Sequence, residues 1–80
     1  MKIYSYNGRI NICGKRIREA RIKLGISQSE LAARLQVENV DIEQKSISRI
    51  ENEERFIADY ELLVLSRVLN AKVDWLLTGK

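Results

Sequence analysis

The sequence predicts an all-α fold, a compact bundle of five short helices. No proline interrupts the 80 residues, and the four glycines (Gly8, Gly14, Gly25, Gly79) stand as isolated punctuation among good helix formers. Apolar residues recur at spacings of three and four, the period that gathers them on one side of a helix. Nothing repeats at a longer period and no polar linker divides the chain, so residues 11–80 read as one domain behind a short N-terminal segment, 1–10.

The first helix is expected to begin near Asn11. Cys13, Ile17, Ala20 and Leu24 follow at steps of four, three and four and define its core face. Gly25 comes where a left-handed residue closes a helix, because a residue without Cβ takes positive φ at no steric cost. Ser27 and Glu30 have the capping-box spacing, with Ile26 and Leu31 as a hydrophobic staple around them. Leu31, Ala32 and Leu35 carry the stripe of the second helix to an end near Val37.

Asp41 and Gln44 have the same capping-box spacing and predict a third helix over 42–52. At about 100° per residue, Gln44, Lys45, Ser48, Arg49 and Asn52 share one arc while Ile47 and Ile50 face the other way. That arc holds amides, a hydroxyl and two cations, and no carboxylate. The fourth helix, 59–69, buries Leu62, Leu65, Ser66 and Leu69, and a short fifth from Val73 to about Leu77 brings Trp75 and Leu76 onto the body. Residues 1–10 admit two readings. Asn7-Gly8 between apolar neighbours signals a hairpin, whereas an isolated two-stranded hairpin is marginal in water, which favours a flexible arm.

The net charge of +3 is only mildly basic, but residues 1–28 hold seven cations against Glu19 alone, so the cationic excess lies at one end. No apolar run approaches the roughly 20 residues that span a bilayer, and no signal-peptide pattern opens the chain, so a cytoplasmic location is expected. Cys13 has no disulfide partner. With no histidine and no paired cysteines it reads as a small core residue, and neither a metal nor another cofactor is expected. No glycine-rich phosphate loop and no nucleophile-base pair is present, so the chain is not expected to be an enzyme, and no pattern marks a small-molecule site.

Three stretches, GKRIREARIKLGISQSELAARL (14–35), KSISRIEN (45–52) and VDWLLTGK (73–80), together resemble the XRE-like family of phage repressors and Cro proteins. The resemblance implies a repressor-like DNA-binding domain in which the second and third helices form a helix-turn-helix and the third enters the DNA major groove. It puts base reading on Gln44, Lys45 and Arg49, with Ser48 on the same face. Glutamine matches adenine, and arginine or lysine match guanine N7 and O6. It puts phosphate contacts on Gln28 and extends them to Asn52 and Arg55. It pairs Arg21 with Glu51 in a salt bridge between the first and third helices, and it implies a homodimer on double-stranded DNA. Trp75 and Leu77 with Leu63, Val64 and Val68 form a candidate seam.

Two departures mark the chain. Val37 to Ile47 is about five residues longer than the usual link, so the helix-turn-helix has a lengthened turn, 38–42, that keeps the motif only if Val40 and Ile42 anchor on the core. Glu53-Glu54 stand where the resemblance expects a glycine and a base, so another residue must supply positive φ and two carboxylates approach a polyanion. Two functions follow: a sequence-specific, repressor-like transcriptional regulator, or a protein-interaction module that keeps the fold with weak or no DNA binding.

Overall fold

The computed structural model describes residues 5–80 and contains five helices: α1 (Gly14–Leu24), α2 (Gln28–Val37), α3 (Gln44–Glu51), α4 (Asp59–Leu69) and α5 (Val73–Thr78). Helices α1 to α4 close around one core in which Ile17, Leu31, Leu35, Ile47, Ile50 and Leu65 are fully buried, and α5 seals one end with Leu76. Cys13 is buried in the same cluster, where burial pushes its thiol up from the ordinary value against the lowering influence of Arg16.

Helix α1 begins at Gly14 rather than Asn11. The Asn11 Oδ1 accepts from the backbone N–H groups of Cys13 and Gly14 at 3.1 and 2.7 Å, which places Asn11 ahead of the helix as its cap. Gly14 is required by proximity: a Cβ there would run into the Ile50 carbonyl of α3. At the other end Leu24 is 40 % exposed, not buried, because the neighbouring α4–α5 turn leaves a concavity beside it.

Four helices end alike. After α1, α2, α3 and α4 the residues Gly25, Asn39, Glu53 and Asn70 take positive φ. In each case that N–H and the next one return to carbonyls of the last turn, the paired bonds of a Schellman motif. Glu53 therefore supplies the positive φ that the missing glycine would have given.

At the start of α2, Ser27 accepts from the Glu30 N–H at 3.0 Å. Glu30 does not reach back and instead pairs with Arg34 one turn on. The expected Asp41–Gln44 box is absent, and α3 starts at Gln44 behind Glu43 with no side-chain cap. Val40 and Ile42 turn into the core, and Asp41 between them is sent outward, away from the N–H groups it was expected to cap. The lengthened turn is thus anchored where the motif needs it. Before α4, Glu61 accepts from the Ala58 N–H and Asp59 from the Tyr60 N–H, which replaces the serine or threonine cap that Ala58 lacks.

The N-terminal segment was open between arm and hairpin. Among the described residues, Tyr6 and Arg9 exchange backbone bonds of 2.7 and 3.0 Å around a left-handed Asn7-Gly8 turn. Residues 1–4 lie outside the described residues.

Candidate nucleic-acid interface

Helix α3 packs through Ile47 and Ile50, which turns its opposite edge outward: Gln44, Lys45 and Arg49 are exposed and Ser48 is half-buried between them. The Ser29 hydroxyl, at the start of α2, donates to Gln44 Oε1 at 2.8 Å. This uses one lone pair and leaves the second, with the whole amide NH₂, facing outward, the set a bidentate adenine contact requires. Arg49 Nη2 reaches the Glu54 carbonyl only at 3.5 Å, so the guanidinium fork stays largely unspent.

The edge is fixed by what lies behind it. Arg21 grips Glu51 through two bonds, Nε to Oε2 at 2.7 Å and Nη2 to Oε1 at 3.1 Å, and a third bond from Nη1 reaches the Ile26 carbonyl at 2.9 Å. The two side chains are 12 % and 3 % exposed. The hydrogen bond it donates to Glu51 holds the guanidinium above its ordinary pKa, burial working the other way and the charge of Glu51 adding to the rise. Gln28 Nε2 donates to the same carboxylate at 3.1 Å, so this side chain, expected on a phosphate, closes an internal network joining α1, α2 and α3.

Arg55 is likewise engaged inside the molecule. Its guanidinium forks onto both Glu61 oxygens at 3.1 and 3.2 Å and reaches the Phe56 carbonyl, so its charge is spent on clamping the α3–α4 loop. Burial raises the Glu61 carboxyl, but the Arg55 bonds, the Ala58 N–H and the Arg55 charge outweigh it and leave the group below the ordinary carboxylate value. Asn52 is exposed at the end of α3. Arg9 pairs with Glu53 at 3.2 Å, which neutralises one of the two carboxylates expected to repel a polyanion.

Two contributors were not singled out in the sequence. Asn11 Nδ2 donates to the Ile50 and Arg55 carbonyls at 3.0 and 2.9 Å, and its Oδ1 caps α1, so one buried amide ties the first helix to the end of the third. An asparagine just before a helix signals the cap, but nothing local signals partners some forty residues away. Ser29 had no signal apart from its place in the first turn of α2. Of the candidate seam, Leu63 is exposed while Val64, Val68, Trp75 and Leu77 pack partly against the core. Among the described residues no cluster of carboxylates, histidine or cysteine is arranged to hold a metal, and no helix is long and apolar enough to cross a membrane.

Two helices joined by a turn, with the second braced from behind and bare in front, define a helix-turn-helix domain. The chain belongs to the XRE-type helix-turn-helix family, whose model matches residues 17–76. It is similar to the P22 c2 repressor, solved in complex with a synthetic operator in the presence of Tl⁺. That match has 33 % identity and a TM-score of 0.74 and covers 88 % of this chain and 98 % of the repressor chain. No curated protein matches the chain. Family and fold are those of DNA-binding regulators rather than enzymes.

Proposed function

We propose that this protein is a sequence-specific, repressor-like transcriptional regulator that lays the outer edge of α3 in the major groove of double-stranded DNA. The observation that carries it is that edge: Gln44, Lys45, Ser48 and Arg49 present amide, ammonium, hydroxyl and guanidinium groups with no carboxylate among them. Family membership and the operator-bound P22 c2 repressor support the same reading. Gln44 reads adenine, Lys45 and Arg49 read guanine, and Ser48 lies between them. Asn52 and the first N–H groups of α2 contact phosphates, and Gln28 acts there while its amide also holds Glu51. Arg55 contacts a phosphate beside Asn52 while its guanidinium also holds Glu61. Two copies bind half-sites one helical turn apart, in the cytoplasm, with no chemical step of their own.

The protein-interaction reading rested on the acidic turn and the insertion. Arg9 neutralises Glu53, though not the exposed Glu54, and Val40 and Ile42 anchor the insertion on the core, so both features favour a protein partner less than the sequence alone suggests.

Selection of a preferred duplex from a random pool, with affinities measured at two salt concentrations, tests the proposal. A protein making about 6–10 phosphate contacts loses roughly 10³–10⁵ in affinity between about 50 and 200 mM salt. Gln44→Ala and Arg49→Ala are expected to relax preference at separate base positions, each by about 1–3 kcal/mol. Binding without salt dependence, or variants that weaken all sequences alike, would overturn the assignment.

A further inference from the structure

Leu24 continues the core stripe of α1 yet is exposed, and it borders a cavity of about 560 Å³ between α1, the α4–α5 turn and α5. That volume lies within the range of small-molecule sites, about 300–1,000 Å³. Ala20 and Ala71 line the cavity with methyl groups only. Leu24, Ala71 and Trp75 give it an apolar lining above the buried Leu69, and Lys23, Lys72 and Lys80 also line it with Glu19 as the one acidic side chain among them. Among the described residues none of the three lysines is in a salt bridge. No residue of α2 or α3 lines the cavity, so it is separate from the edge assigned to DNA.

An apolar hollow under a cationic rim is complementary to one chemistry: an apolar body ending in a carboxylate. The body removes the exposed parts of Leu24 and Trp75 from water, and the head replaces water around the three ammonium groups. A neutral apolar ligand gains only the first part, and an apolar amine is repelled. We propose that this cavity binds a small apolar carboxylate of the short-chain fatty-acid or arylalkanoate kind. The sequence holds no local sign of the site because its walls come from residues about fifty positions apart.

Trp75 is the only tryptophan, so its emission reads occupancy directly. Titration of the full chain with octanoate, below its micellar concentration, is expected to give a saturable change in that emission, while octan-1-ol and octylammonium bind at least about tenfold more weakly. Lys23→Gln with Lys72→Gln should weaken octanoate by about tenfold, whereas Glu19→Gln should tighten it. Ala71→Leu should abolish the response by filling the hollow, with unchanged helicity and thermal midpoint showing that the variant is folded. No saturable response to octanoate, or equal binding of the alcohol, overturns the proposal. So does a Trp75 signal that follows protein concentration without ligand, since the face would then lie between two copies. None of these outcomes depends on whether α3 binds DNA.

Discussion

Removing Arg21 alone should cost far more than removing Arg21 and Glu51 together. The Glu51 carboxylate is 3 % exposed, and in Arg21→Ala it would keep only the Gln28 amide, while the Ile26 carbonyl loses its donor. Breaking a buried pair from one side costs about 3–5 kcal/mol, because the surviving charge stays out of water without its partner. An 80-residue domain at about 0.05–0.15 kcal/mol per residue has about 4–12 kcal/mol in all, so the single variant sits close to unfolding. At about 4–8 °C per kcal/mol, the thermal midpoint should fall by at least 12 °C, roughly. Arg21→Met with Glu51→Leu removes both charges and fills the space, so it should lie within about 1 kcal/mol of the wild type or above it. Urea unfolding followed by circular dichroism compares the wild type with Arg21→Ala and with the double variant. If Arg21→Ala unfolds at the wild-type midpoint, or the double variant is as unstable as the single, the pair does not brace α3 as argued.

Asn11 uses both donors and both lone pairs inside the protein, so Asn11→Ala strands two N–H groups and the Arg55 carbonyl, while the Ile50 carbonyl keeps the Glu53 N–H, and it should cost about 3 kcal/mol or more. Asn11→Asp keeps the cap but sets a carboxylate against the Ile50 and Arg55 carbonyls, so it should be no better. Equal urea midpoints for wild type and both variants would refute this. Glu53→Gly should raise stability: relief of left-handed strain, about 1–2 kcal/mol, outweighs loss of the partly exposed Arg9 pair, worth about 0–1. A lowered midpoint would show that the pair dominates. The Glu61 carboxyl titrates lower in the folded state than in the unfolded one. Its contribution is therefore present in full above the ordinary carboxylate value and lost as pH falls through the folded value. Thermal midpoints should drop in that acid range, and less so in Glu61→Gln; parallel curves would count against the Arg55–Glu61 clamp.

The helices were legible because each signal is local. Ile47 and Ile50 set the inner face of α3 from spacing alone, Ser27 marks the start of α2, and Gly25 the end of α1. What was not legible is long-range or depends on competition between neighbours. Asp41 has the right spacing to cap α3, yet burying Val40 and Ile42 fixes its direction, since two apolar side chains outweigh one surface hydrogen bond. Gln28 and Arg55 were placed on phosphates by resemblance, and both have charged internal partners, Glu51 and Glu61, contributed by other elements. Glu53 gave no sign of a left-handed conformation, which glycine or asparagine would have advertised.

The lengthened turn strengthens the mounting of α3 rather than loosening it. A short turn would fix the angle between α2 and α3 mainly through the contact between the two helices. Here Asn39 reverses the chain in the Schellman motif that ends α2, the Ile42 N–H returns to the Val40 carbonyl at 3.2 Å, and the two buried side chains plant the connection in the core before α3 begins. At the far end Asn11, Arg21 and Gln28 hold Ile50 and Glu51 from three directions. The helix is therefore clamped at its C-terminal turn and guided at its entrance. Its first turn has no side-chain cap, packs on the core through Ile47, and is otherwise tied by the Ser29 bond to Gln44. That asymmetry suits a probe: rigid where the fold must define the angle of approach, open where amide and ammonium groups must meet base edges.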